Sequence, residues 1–219
     1  MRIILAALLC MVFSVVMSQN DSVPLNLKPR RILKVNPLYL LNRFPTIQLT
    51  YENHLSPKSN ISIGAGYIMN MYDDSYNTDF NDRSGVKLNT DFRYYFEESK
   101  RVIFFMGVGV DYFYIKFNRS RTFGFNCMDD FSCLYFQYDT YNVIRQDWRI
   151  NVKSGMIVNL GAKIYFETGF GLAISFQDYR TSGKIKGFDI QYGNNTLKED
   201  GKRELYLPLP ILQFGYRFR

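Results

Sequence analysis

Few residues in this chain are of a type that does chemistry. His54 is the single histidine among 219 residues. Glu52 precedes it by two positions and Ser56 follows by two, so an imidazole could activate a hydroxyl beside a carboxylate, as in acyl transfer. Two cysteines, Cys127 and Cys133, lie close together in a polar, aromatic stretch. With the only imidazole in a distant segment, they do not supply the four ligands that structural zinc prefers. Isolated charges of both signs stand among Gly, Ser and Asn: Glu52, Lys87, Asp91, Arg93, Asp111, Lys153, Glu167 and Arg217. The stretch 118–148 carries Phe123, Phe125, Phe131, Tyr135, Phe136 and Tyr138. What each group can do depends on the elements that position it.

Those elements are strands. Tyr and Phe together number 36, against one Trp. Beyond the first 18 residues only Ala65, Ala162 and Ala173 remain of the strongest helix former. The balance favours strands over helices. Hydrophobic residues make up 47% of the chain, which excludes a disordered chain. No apolar run reaches the roughly 18 residues of a helical membrane span. Residues 1–18 place Arg2 before an apolar run and end at Ser18 with Val16 two positions earlier. That order is expected of a cleavable signal peptide, leaving 19–30 as a periplasmic N-terminal segment and 31–219 as one β domain. Export exposes Cys127 and Cys133 to an oxidising compartment, so a disulfide is favoured over free thiols, and a metal site is disfavoured.

The dominant signal after Arg31 has a period of two. Ile47, Leu49, Tyr51 and Leu55 alternate with Gln48, Thr50, Glu52 and His54, and Ile61, Ile63, Ala65 and Tyr67 alternate with Ser62, Gly64 and Gly66. Val86, Leu88, Phe92 and Tyr94 alternate with Lys87, Asn89, Asp91 and Arg93. Similar patterns predict strands over 31–41, 101–117, 149–158, 162–177 and the C-terminus from Leu212 to Phe218. The expected fold is therefore an all-β, eight-stranded antiparallel up-and-down transmembrane β-barrel. Tight connections (56–58, 98–100, 159–161) alternate with longer ones (71–84, 118–148, 178–204) in all but the first case, 42–44, which is short, as in a barrel with short turns on one side of a membrane. A soluble eight-stranded barrel would put its bulky face inside. Here the bulky face is too large for so narrow an interior, while the small and charged face fits it. The eight charges are thus expected to form a mutually neutralising network in a plugged lumen, which is favoured over a narrow ion path.

The ending Gln213-Phe214-Gly215-Tyr216-Arg217-Phe218 resembles the aromatic-alternating last strand by which bacterial outer-membrane barrels engage their assembly machinery. Together with Lys34-Val35-Asn36-Pro37-Leu38, Leu49-Thr50-Tyr51-Glu52 and Leu207-Pro208-Leu209-Pro210, it is similar to a family of small outer-membrane β-barrels of the eight-stranded OmpA and OmpX architecture. The resemblance spans nearly all of the mature chain and implies fold and location, with no activity.

In that frame His54 and Ser56 fall at a tight turn on the periplasmic side. A deacylase-like reaction on lipid A, in the opposite leaflet, is disfavoured, and so is an enzyme in general. No cofactor is expected. The aromatics of 118–148 are candidates for surface binding or for the interfacial girdle. Expected partners are outer-membrane lipid and lipopolysaccharide, the barrel assembly machinery and an envelope protein. The formal charge of +7 is dispersed along an exported chain, so nucleic acid is not expected.

Overall fold

The computed structural model describes residues 31–41, 44–56, 58–70, 81–98, 102–127, 133–161, 163–184, 186–187, 190–192 and 201–218. The expected signal peptide and N-terminal segment lie outside these residues. Nine strands are present among the described residues: β1 Arg31–Val35, β2 Thr46–Ser56, β3 Ser59–Ile68, β4 Asn81–Glu98, β5 Val102–Cys127, β6 Cys133–Asn159, β7 Ile164–Ser182, β8 Ile190–Tyr192 and β9 Gly201–Phe218. All pairings are antiparallel. Sequence neighbours pair from β1 through β7, then β7 pairs with β9 and β9 with β1.

Four sequence expectations are corrected. Strand β8 is an addition to the expected eight; it pairs with Thr122–Gly124 of β5 inside the segment read as a long loop. The first strand ends at Val35 instead of running to 41. Asn36 there accepts the Leu38 N–H at 3.1 Å, and residues Pro37–Leu41 wind into a 3₁₀ turn. Proline has no N–H for a strand ladder, and the Asn side chain offers the backbone a turn instead. The described residues of 118–148 are strand and not loop: β5 and β6 run on as a tall hairpin to Cys127 and Cys133, Phe125 opposite Tyr135. Finally, β9 begins at Gly201, well before Leu212.

The two faces of the strands differ as the alternation requires, with an inverted sense. Leu49, Ile63, Leu88, Val108, Ile150, Leu172 and Tyr216 are exposed, whereas Gln48, Thr50, Ser62, Lys87, Asn89, Asn151 and Gln177 are buried. The buried side holds three layers. Near the tight turns Ile32, Tyr95, Ile103, Phe105, Ile157, Tyr165 and Ile211 form an apolar floor. Toward the long connections Ile68, Phe113, Ile115, Phe117, Phe123, Phe125, Tyr141, Val143 and Tyr179 form a second apolar cluster. Charged and amide side chains lie between them.

Candidate functional site

All eight charges expected to share the interior are buried there. Two groups form. In the first, Lys34 Nζ lies 2.5 Å from Glu52 Oε2 and 2.8 Å from Glu167 Oε2, and Arg93 NH1 donates to Glu167 at 2.8 Å. Tyr95 and Asn60 donate to the other Glu52 oxygen at 2.7 Å and 2.5 Å. In the second, Lys153 Nζ pairs with Asp91 Oδ1 at 2.5 Å, and Asn151 donates to Asp111 at 3.2 Å. Asp91 Oδ2 lies 3.9 Å from Arg93 NH2, which ties the two groups together. Lys87 sits over the Tyr39 ring at 3.4 Å, and the Arg217 guanidinium stacks on the Tyr165 ring at 5.0 Å. Rings supply the partial negative charge that these cations need away from water.

The registers explain why such distant residues meet. Glu52 stands opposite Ile32 on β1 and Ser62 on β3, Asp91 stands opposite Gly109, and Lys153 stands opposite Gly107. A Cβ on Gly109 would lie 2.0 Å from Asp91 Oδ1, so a side chain there would displace the carboxylate. Gly215 does the same for Tyr165, whose ring covers it with Cζ 2.0 Å from where a Cβ would sit. The phenol is thereby laid flat against β9, beneath Arg217.

Sequence reasoning left several members out of the network. Lys34 joins both glutamates, and its place was legible because it alternates with Leu33 and Val35. Tyr95 and Tyr165 also belong to it, at odd positions in step with Arg93 and Glu167. Arg145, Asp147 and Arg149 form a third ion-paired group, with Arg149 NH2 3.1 Å from Asp147 Oδ2 and Arg145 in two-pronged contact with the same carboxylate. Arg149 stands at the start of the expected strand 149–158, whereas Arg145 and Asp147 fall in the stretch expected as a loop, although they alternate with Trp148 and Ile150.

The chemistry suggested by His54 does not gain a carboxylate from Glu52, whose oxygens are held by Lys34, Asn60 and Tyr95. Ser56 Oγ shares a hydrogen bond with Ser59 Oγ at 2.6 Å. Among the described residues no cluster of three or more His, Cys, Asp or Glu could hold a metal ion.

Cys127 and Cys133 are joined by a disulfide at the tip of the β5–β6 hairpin. Of the aromatics considered for surface binding, Phe123 and Phe125 are buried and Phe123 is fully so, which corrects their placement on a surface loop. Tyr135, Phe136 and Tyr138 are exposed, Tyr138 by 60%. Phe131 lies outside the described residues.

No protein-family model matches the chain, and no curated protein matches its sequence. Among solved structures, the N-terminal β-barrel domain of Pseudomonas aeruginosa OprF is similar over 87% of this chain and 97% of that one, with 11% identity and a TM-score of 0.42.

Proposed function

We propose that the chain is an outer-membrane β-barrel with a plugged interior, and that its role is non-enzymatic: envelope structure and surface binding through the β5–β6 hairpin. The observation that carries this reading is the inversion of its faces. Large apolar side chains are exposed on every one of β1 to β7 and on β9, while Lys, Arg, Asp and Glu are buried inside. In water such a molecule would expose its hydrophobic surface and bury its charges, both at a cost. In lipid the same arrangement sets the apolar face against hydrocarbon and leaves the buried charges to pair with one another inside.

The register supports closure at a size suited to a membrane. Stepping through paired residues from Phe214 to Val35, Leu49, Ala65, Leu88, Tyr112, Trp148 and Phe176 returns to β9 at Glu204, displaced by ten residues. With ~3.3 Å per residue and ~4.8 Å between strands, that displacement over eight strands implies a tilt of about 41°. Spanning barrels tilt by roughly 35–45°. The apolar outer run from Phe218 to Tyr206 then covers about 30 Å, the thickness of a bilayer core. Glu204 and Lys202 follow as the first exposed charges on β9.

The apolar floor, the charged layer and the aromatic cluster all occupy the buried side, which supports a plug over a channel. The hairpin stands well above the outer run, with Leu134, Tyr135, Phe136 and Tyr138 exposed near its disulfide. A rigid, aromatic-rich projection of this kind suits recognition of a protein or lipopolysaccharide partner. Lipid lies along the outer strands, and the assembly machinery meets the C-terminal one. Labelling of intact cells with an impermeant maleimide tests the arrangement. Tyr138→Cys should label and Lys58→Cys, at a tight turn, should not; the reverse result would invert the topology and remove the surface role.

A further inference from the structure

The strand circuit has a low point. β1 leaves its neighbours after Val35, whose partners are Phe214 on β9 and Leu49 on β2. β9 continues upward from Gln213 to Gly201 with β7 on one side, and among the described residues no strand lies on the other. The chain that would have continued the wall turns inward. Tyr39 reaches the Lys87 ammonium, and Phe44 packs against Phe117 at 6.1 Å between ring centroids. The vacated stretch, Tyr206 to Leu212, measures roughly 20 Å along the strand and lies within the apolar outer run.

An open strand edge in hydrocarbon would strand backbone donors. β9 is built to avoid part of that cost. Arg217 N–H donates to Lys163 on the β7 side, and the β7–β9 register is regular, so odd positions of β9 face β7 and even positions face the vacated side. Pro208 and Pro210 are both even, so two N–H groups that would point into the gap do not exist. The side chains agree. Leu205, Leu207 and Leu209 belong to the inward-facing set of β9, yet they are half-exposed, whereas Ile211, Gln213, Gly215 and Arg217 lower on the same face are buried.

We infer that this slot, between the upper half of β9 and the 3₁₀ turn Pro37–Leu41, is a lateral binding groove for one acyl chain of a membrane lipid. Its walls are Leu205, Leu207 and Leu209 on β9 together with the leucine-rich turn, which contacts both β9 and β2. No charged side chain belongs to that set, and Pro208 and Pro210 remove two of the four N–H groups that the edge from Tyr206 to Leu212 would aim into it, which lowers the cost of setting a saturated hydrocarbon there. Leu41, 53% exposed, stands beside it. The inference rests on the membrane-barrel reading and adds to it that lipid penetrates the wall at one place.

Nitroxide labels introduced singly at Leu207→Cys, Leu209→Cys, Leu172→Cys and Gln213→Cys test it, in the Cys10→Ser full-length protein folded in phospholipid vesicles. Collision with oxygen reports lipid and collision with a water-soluble nickel chelate reports water. Leu172, 64% exposed on the outer face of β7, should favour oxygen. Leu207 and Leu209 should match it within about twofold, and Gln213 should be shielded severalfold from both. Shielding of positions 207 and 209 from both reagents, or contact with nickel alone, would overturn the groove while leaving the barrel intact. Nickel contact at Leu172 would instead overturn the membrane reading, and the groove with it.

Discussion

Glu167 bears most directly on how the interior holds together. It is fully buried and accepts from Arg93 and Lys34 at once. Removing one partner of a buried ion cluster costs more than removing a balanced pair, because the remaining charge is left without compensation. Glu167→Leu should therefore destabilise the folded barrel by about 3–5 kcal/mol. Arg93→Leu combined with Glu167→Leu should lose less, since Lys34 keeps Glu52. The urea midpoint of folding in vesicles reads both, and a double variant no more stable than the single one would show that the network is not what neutralises this layer. At this scale much of the site was legible: each network charge sits at an alternate position beside bulky neighbours. The phenols of Tyr95 and Tyr165 share that parity, two residues from Arg93 and Glu167, and what conceals them is the count of aromatics as lipid-facing.

Among the elements, the β5–β6 hairpin departs furthest from expectation. Its alternation persists through Phe117, Arg119, Arg121, Phe123 and Phe125, all buried. Mixed arginine and phenylalanine on one face obscured the strand, since neither the polar nor the apolar template matches it. The sequence pattern shows only the lower part of β9 for a related reason: prolines argue against a strand unless one edge is free, and here one edge is. The backbone alternation that places Pro208 and Pro210 on the free side of β9 also directs odd residues of β6 to β5 and even ones away from it. β7 ends at Ser182, opposite Asn142, so even β6 positions above that point have no strand partner among the described residues. Tyr138→Pro should accordingly be tolerated. Gln137→Pro should cost about 1–3 kcal/mol by breaking a ladder bond to Phe123. Amide exchange across 119–141 separates the two, and equal loss of protection in both variants would refute this hairpin register.

For the molecule as a whole, the period of two and the rhythm of short and long connections made the architecture legible, and side-chain volume chose the lipid-facing sense. The wall's low point was hidden, because Leu38, Leu40 and Leu41 read as more strand and only the Asn36–Pro37 turn sends the chain inward. The central claim is that the exposed apolar face lies against lipid. Trp148 tests it most directly, since it is the single tryptophan in the chain, lies 55% exposed on the outer face of β6, and packs against Tyr112 at 4.7 Å between centroids. Its place at the upper end of the apolar run puts it in the interfacial belt. In vesicles, its fluorescence should be quenched strongly by lipids brominated near the headgroup, less by lipids brominated near the chain ends, and little by aqueous iodide. Full quenching by iodide with none by brominated lipid would contradict the account.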